Sequence, residues 1–447
     1  MRAILSRRGF VTRSVAIFEN WMPDPFVIAV ALTVLASALA AIFAPHGDAR
    51  TIINAWYNGV FGILSFAFQM VLILVTGHAL ASAPSIRRGL RRLVSVVRTA
   101  PQAIWLVFAV VTVVGWVNWG AGLVVGAFLA REIARRVRLD YGWLIAATYS
   151  AWSVINSGLS SSVALTQASH GNALNIVEKL TGHILPLRDT IFAPFTWVPA
   201  LLVALVMPAV FIAIRPAERD IVIFVPPEED VAEPEPDQPR SIARRIDRSR
   251  LGSLVIVAFG IAYLALAWSH AGFSMDLDRL ILVFLLLGLL LQGNPMAYAN
   301  AVSIAVRQVG PMILQYPIYG GIMGIMTVTG LAGSISRLFV AVATPGTLPF
   351  YSYLSSIVIT LLVPSAGGHW AVQGPFVVPA ALTLHASLPA TAMGVAVAEN
   401  VANMLQPFWC VPLVAIAGIG IQRVLGYTVI TFLITGLIYG AAMLLLV

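Results

Sequence analysis

Apolar runs as long as a lipid bilayer is thick recur along this chain, with almost no charge inside them. They fall at about 26–44, 60–82, 143–165, 190–214, 251–268, 279–293, 311–331, 390–418 and 425–446. A helix needs about 20 such residues to cross the hydrocarbon core. Only 10% of the 447 residues are charged and 59% are apolar, where a soluble domain carries about a quarter charged. So few charges cannot cover a water-facing surface. The solvent is therefore a lipid bilayer, and about nine spanning helices are expected.

The formal net charge of +8 comes almost entirely from arginine, Lys179 being the only lysine. In a soluble chain this excess would point to nucleic acid. Here the positive-inside rule accounts for it, and no nucleic-acid partner is expected. Arg87, Arg88, Arg91, Arg92 and Arg98 precede the apolar stretch 101–130, and Arg131, Arg135, Arg136 and Arg138 follow it. If both flanks are cytoplasmic, the stretch enters and leaves on one side, which makes it a re-entrant hairpin. All but Arg50, Lys179, Arg188, Arg279 and Arg337 of the 27 Lys and Arg then lie on the cytoplasmic side. The expected setting is a bacterial inner membrane, with a cytoplasmic N-terminus and a periplasmic C-terminus. Arg2, Arg7, Arg8 and Arg13 precede no small-residue cleavage site, so 26–44 reads as a retained helix. The single Cys410 excludes an internal disulfide.

The chain also repeats itself. Residues 71–122 run from an apolar helix through Thr76-Gly77, an arginine-rich amphipathic helix and Pro101 to Asn118-Trp119-Gly120-Ala121-Gly122. Residues 312–370 repeat that order through Thr329-Gly330, Ser334–Ala343 and Pro345 to Ser365-Ala366-Gly367-Gly368-His369-Trp370. A first repeat (1–214) thus holds hairpin 101–130 and broken helix 143–165. A second (269–447) holds hairpin 348–383 and broken helix 390–418. Between them lie a cytoplasmic linker (215–250), acidic and proline-rich at Glu228–Pro239, and one extra helix, 251–268. That extra crossing inverts the second repeat. Inverted repeats with interrupted helices in matching places are the mark of secondary transporters. The expected fold is an all-α polytopic membrane protein.

Four interruptions carry the polar residues. Non-helical backbone at membrane depth survives only inside protein or beside water. Half-helices that begin there present N–H groups to anions, and those that end there present carbonyls to cations. Candidate substrate-binding residues are Asn118, Gly120, Gly122, Ser157, Gly158, Ser365, Gly367, Gly368, His369 and Asn400. Candidate ion-coupling residues are Asn156, Ser160, Ser161, Glu399, Asn403 and Gln406. Glu399 is the acidic residue placed deep in a span, as a proton carrier or a ligand for Na⁺. No His or Cys spacing suggests a metal site, and no cofactor or nucleotide-binding loop is indicated. With every arginine on a flank, a monocarboxylate fits better than a di- or tricarboxylate. A membrane-embedded enzyme, with His369 and Glu399 as acid–base partners, and a passive channel are the other readings.

Several segments together are family-specific. They are Trp21-Met22-Pro23-Asp24-Pro25, Val75-Thr76-Gly77-His78-Ala79-Leu80-Ala81, Asn118-Trp119-Gly120, Gly367-Gly368-His369-Trp370, Gln373-Gly374-Pro375-Phe376 and Gln406-Pro407-Phe408-Trp409. On these the chain resembles the AtoE-like short-chain fatty acid transporters, within the Ion Transporter superfamily. The resemblance implies ion-coupled uptake of acids such as acetoacetate or butyrate, an elevator-like motion and a homodimer. It places the substrate site at hairpin tips and helix breaks, around Asn118, Ser157, Ser365 and Asn400. One departure stands out: Trp152-Ser153-Val154-Ile155-Asn156-Ser157-Gly158 stands where relatives carry a glycine-rich run.

Overall fold

The computed structural model describes residues 25–218, 221–223, 247, 249–271, 275–307, 309–363, 365–406 and 408–447. The N-terminal arginines, the segment Trp21–Asp24, most of the linker, Pro364 and Pro407 lie outside them. Among the described residues there is no strand. The first half contains α1 (Pro25–Phe43), α2 (Ala49–Gly62), α3 (Leu64–Ala81), α4 (Pro84–Val94), α5 (Ala100–Val117), α6 (Trp119–Ala134), α7 (Tyr141–Ala151), α8 (Ser162–Ala168), α9 (Ile176–Thr181) and α10 (Pro194–Ala213). After α11 (Arg250–Ala271) come α12 (Leu277–Gln292), α13 (Pro295–Val306), α14 (Gly310–Val328), α15 (Leu331–Val342), α16 (Leu348–Leu362), α17 (Ala366–Leu384), α18 (Leu388–Ala402), α19 (Cys410–Ala417) and α20 (Gln422–Leu445).

Six described helices are long and apolar enough to cross a membrane, five at expected spans and the sixth α5, the first arm of the expected hairpin 101–130; the pair α14/α15, bent by 74°, would make a seventh. The remaining expected spans are broken or short. The run expected at 143–165 is α7, a 3₁₀ turn at Ile155–Ser157, and α8. The run expected at 390–418 is α18 and α19, with a gap between Ala402 and Cys410. The bend between α14 and α15 falls at Gly330, whose φ of +81° only glycine adopts freely. Exposed Val34, Ile42, Phe259 and Leu266 on α1 and α11 form a surface suited to acyl chains, not water.

Both hairpins are present. The first joins α5 to α6 at Asn118, the second α16 to α17 at Ser365. Thr99 and Gln102 close a capping box at the foot of α5, which starts the arm where the arginine helix α4 ends. At about 1.5 Å per residue, the 18 residues of α5 reach past the centre of a hydrocarbon slab about 30 Å thick. Behind the hairpins, α14 packs on α2 with little between the two backbones. A Cβ on Gly59 would strike the Gly320 carbonyl, and one on Gly324 would lie 3.0 Å from the Gly59 Cα. Small residues that let helices approach this closely provide the packing energy available in lipid.

Helix α3 is the element on which the interior is built. Phe66, Met70, Leu74 and Gly77 follow at spacings of four, four and three, so they share one face. Phe66 meets Gly367 and Leu74 meets Gly120. Met70 accepts a hydrogen bond from Ser162 Oγ at 3.3 Å, and Gly77 leaves room for the Asn118 carboxamide. Both tips and the end of the first helix break therefore rest on one side of α3. From Phe66 to Gly77 is about 16 Å along the axis. The two tips thus stand apart along α3, with the end of the break between α7 and α8 seated between them.

Candidate functional site

At the first tip, Asn118 ends α5 and caps α6, its side-chain oxygen accepting from Ala121 N at 2.8 Å. Trp119 N donates to Ser160 Oγ at 2.9 Å, and Trp152 Nε1 donates to Trp119 O at 2.7 Å. Ser161 caps α8. The Trp119 ring meets Trp409 edge-on at 5.1 Å, and Trp152 stacks on Tyr149 at 5.9 Å. Gly120 and Gly122 have packing duties here. A Cβ on Gly122 would come within 2.7 Å of the Gly115 Cα on the opposite arm.

The break after α7 follows from its sequence. Ser153, Asn156 and Ser157 offer hydroxyls and amides that compete with the helix ladder, and the chain tightens into 3₁₀ turns, Ser157 N to Val154 O at 3.0 Å. Gly158 then passes so close to Trp116 that a side chain would strike its carbonyl. Leu159 N donates to that same Trp116 carbonyl at 2.7 Å. The freed backbone is thus satisfied by the hairpin arm, as burial demands.

Here the two halves of the chain join. Asn156 Nδ2 donates to Glu399 Oε2 at 2.8 Å, and Asn156 N donates to Asn400 Oδ1 at 2.9 Å. Asn400 Nδ2 donates to Ser157 Oγ at 3.4 Å and to Tyr439 Oη at 3.3 Å. The Ser157 and Tyr439 hydroxyls lie 3.2 Å apart. Glu399 also faces the Asn403 side chain and the backbone N–H of Ala366, the first residue of α17. Tyr149 donates to Asn403 O at 2.9 Å, and Gln406 donates to Asn403 Oδ1. Glu399, 3% exposed, is the one buried carboxylate among the described residues, and no lysine or arginine there is buried.

At the second tip, Ser365 caps α17, accepting from Gly368 N at 3.4 Å, and its hydroxyl lies 2.7 Å from Tyr316 Oη. Gly367 faces the Phe66 ring and Gly368 the Tyr319 ring. His369 Nε2 lies 3.0 Å from Ser356 Oγ and 3.1 Å from Val395 O, tying α17 to α16 and α18. Gln373 Nε2 donates across the arms to Ser352 O at 2.9 Å, and Trp370 Nε1 to Leu174 O at 3.0 Å.

The sequence-derived set therefore divides in three. Asn118, Ser160 and Ser161 gather at the first tip. Asn156, Ser157, Glu399, Asn400, Asn403 and Gln406 form the centre, and Ser365 and His369 the second tip. Gly120, Gly122, Gly158, Gly367 and Gly368 permit the close approaches between them. Sequence reasoning missed Tyr439, Tyr149 and Tyr316. A signal for the first was available: Thr428, Thr431, Thr435 and Tyr439 recur at spacings of three, four and four in the last apolar run, and all four are buried. Ser150 Oγ meets Thr431 Oγ1 at 2.7 Å on that stripe. No group of His, Cys, Asp or Glu suited to a metal ion occurs among the described residues.

A family model described as "Short chain fatty acid transporter" matches residues 6–446. The chain belongs to the short-chain fatty acid transporter family. A protein of Escherichia coli (strain K12), provisionally named a short-chain fatty acid transporter, is 40% identical over 436 residues, 96% of this chain and 97% of that one. A Haemophilus influenzae protein with the same provisional name is 34% identical over 431 residues, 94% and 96% of the two chains. Among solved structures, the YdaH transporter of Alcanivorax borkumensis, described as having an unusual topology, superposes with a TM-score of 0.59 at 15% identity, covering 94% of this chain and 98% of that one. The last likeness speaks for the fold alone. Members of the short-chain fatty acid transporter family are multi-pass membrane transporters, not enzymes, so the acid–base reading of His369 and Glu399 is set aside.

Proposed function

We propose that this short-chain fatty acid transporter is a secondary active carrier that takes up small monocarboxylates such as acetoacetate or butyrate together with H⁺ or Na⁺. The observation that carries this reading is the charge inventory of the interior. Glu399 is buried among amides and hydroxyls, and among the described residues no buried guanidinium or ammonium accompanies it. A carboxylate substrate arriving beside it would be a second negative charge in a water-poor site, at a cost of several kcal/mol. A proton or Na⁺ bound with it removes that cost. The interior thus supports co-transport, and it supports one carboxylate over two or three. Asn156, Asn400, Asn403, Ser157 and Gln406 are the proposed partners of the ion around Glu399, with Ser160, Ser161 and the glycine approaches setting the breaks.

The same reading makes the two halves, 1–214 and 269–447, inverted repeats joined by linker 215–250 and inverting helix 251–268. The order helix, bend, hairpin, broken helix and closing helix occurs in each. It places the protein in the inner membrane, N-terminus cytoplasmic and C-terminus periplasmic, as a homodimer whose tips and breaks travel together. The α3 face supports such travel, because its contacts with the tips and the break are a ring, a leucine, glycine backbone, one amide and one hydroxyl–thioether hydrogen bond, with no ion pair among them.

Labelled butyrate uptake into proteoliposomes, under a Na⁺ gradient, a proton gradient or none, tests the function. Accumulation under one gradient alone is expected. Flux indifferent to both gradients would make the protein a channel. Competition by succinate or citrate as strong as that by butyrate would favour the di- and tricarboxylate reading.

A further inference from the structure

The arginines of this chain are not spread evenly over its surface. Between residues 84 and 139 stand nine arginines and one acidic residue, Glu132. The fold brings the two ends of that stretch together at the foot of the first hairpin. Arg91 Nε meets Glu132 Oε1 at 3.3 Å, and Arg135 Nη1 meets the same oxygen at 3.4 Å. The Arg87 guanidinium lies 4.4 Å over the Phe128 ring. Helix α4 is thereby clasped to α6, the second arm of the hairpin. One carboxylate cannot balance nine guanidinium groups, and Arg88, Arg92, Arg136 and Arg138 are exposed.

Helix α4 has three flanks. At about 100° per residue, Leu90 and Val94 share the flank that is buried on the protein. Arg88, Arg91 and Arg92 share a second, and all three are exposed. Ile86 and Leu93 share the third. Leu93 is 45% exposed, and Val96, in the turn after the helix, is 71% exposed. An exposed cationic flank beside an exposed apolar one suits neither water nor hydrocarbon. It suits the boundary between them, where apolar side chains enter the acyl layer and guanidinium groups stay among the phosphates. Trp105, near the foot of α5, is exposed as well, and tryptophan favours the same depth.

The matching helix of the other half separates the two properties. Helix α15 exposes Leu338 and Val342, but its one arginine is Arg337, which donates to Ser334 Oγ at 2.9 Å. Both helices have apolar side chains to lay in a membrane surface. Only α4 has the charge to choose a lipid by its headgroup.

We propose that α4 docks on anionic phospholipid headgroups: the Arg88 and Arg92 guanidinium groups bind lipid phosphates, Leu93 and Val96 enter the acyl layer beside them, and the clasp on Glu132 and Phe128 passes this anchorage to the first hairpin. A planar guanidinium donates two parallel N–H groups to a phosphate. A zwitterionic headgroup brings its own ammonium, so the cluster favours lipids that lack one. The lipid contact goes beyond the transport reading and does not depend on it; in the orientation proposed above, the leaflet is the cytoplasmic one.

The test is native mass spectrometry of the full-length protein in detergent with equal amounts of phosphatidylglycerol and phosphatidylcholine. The wild type is expected to retain phosphatidylglycerol in preference. Arg88→Gln combined with Arg92→Gln leaves the Arg91–Glu132 pair in place, and a melting curve confirms that this variant folds. It is expected to lower the preference about tenfold, the scale of two guanidinium groups at a charged membrane surface. Arg50→Gln combined with Arg337→Gln removes the same charge elsewhere and is expected to leave the preference unchanged. Equal preference in the wild type and the Arg88/Arg92 variant overturns the docking, as does an equal fall in the Arg50/Arg337 variant. Displacement of the lipid by millimolar inorganic phosphate would make the cluster a free-anion site and overturns it too. Butyrate uptake is expected to be about threefold faster in vesicles containing phosphatidylglycerol than in phosphatidylcholine alone, and indifferent to lipid in the Arg88/Arg92 variant. Wild-type uptake equally fast in both overturns the link to the hairpin. Lipid retention is read without transport, so this proposal and the transport reading fail separately.

Discussion

The two hairpin tips share an architecture and differ in what they leave unsatisfied. Each begins a helix inside the protein, capped by a short polar residue, Asn118 on α6 and Ser365 on α17. At the second tip Ser365 meets Tyr316, His369 Nε2 meets Ser356 and Val395, and the Ala366 amide faces Glu399, while His369 Nδ1 and Gln373 Oε1 are buried without a partner. At the first, the Asn118 and Trp119 donors have none. Repetition of a backbone therefore does not repeat its chemistry. The second tip leaves a ring nitrogen and an amide oxygen over, and the first leaves two N–H donors, Asn118 Nδ2 and Trp119 Nε1.

The sharpest way to separate the tips is through Glu399, which faces the second. Glu399→Gln keeps the shape and removes the charge. Gradient-driven accumulation of butyrate is expected to fall to the equilibrium level with expression intact, while butyrate still protects the protein against thermal unfolding. Loss of that protection along with accumulation would mean that one site serves both ligands, and the contrast between the tips would fail. Next in size is Gly367→Ala, where a methyl would enter the Phe66 ring. A loss of about 1–3 kcal/mol is expected from such overpacking, read as a lower melting temperature. Gly120→Ala, whose methyl meets Leu74 at 3.1 Å, is expected to lower it less.

Ser356→Ala is a milder probe. It leaves His369 the Val395 carbonyl and should cost about 1 kcal/mol of stability while changing the KM for butyrate less than twofold. A tenfold shift would show that His369 touches substrate. The smallest effect is expected well away from both tips. His170 bonds Glu178 at 2.7 Å, and that bond first, then the Gly171 amide, holds the Glu178 carboxyl below its ordinary range. Because the folded-state pKa is lowered, the contribution is present above the ordinary carboxylate pKa and is lost as the pH falls through the folded value. His170→Ala should therefore lower the melting temperature slightly at neutral pH and not in acid, with transport unchanged.

Much of this was legible along the chain. The interruptions at Asn118, Asn156–Ser162, Ser365 and Asn403–Pro407 show as polar residues in runs that lipid would otherwise keep apolar. Glu399 shows because an acid in such a run is costly. The segment Ala49–Gly62 and the short helix Pro295–Val306 were not marked as membrane helices, since polar residues and modest length blur their apolar signal. Which break answers which tip was not legible either. Asn156 reaches across 243 residues to Glu399, and Tyr439 reaches back to Ser157 and Asn400. A tyrosine in an apolar run looks like packing until the partner of its hydroxyl is known. Which polar atoms each tip leaves without a partner depends on such distant residues, so no local pattern could announce it.

Helix α3 touches both tips and the chain break along a single edge. In the travel proposed above the three move as one, so that shifting Asn118 off Gly77 would carry Gly120 past Leu74, Ser162 past Met70 and Gly367 off Phe66. That travel would release all four contacts in one step.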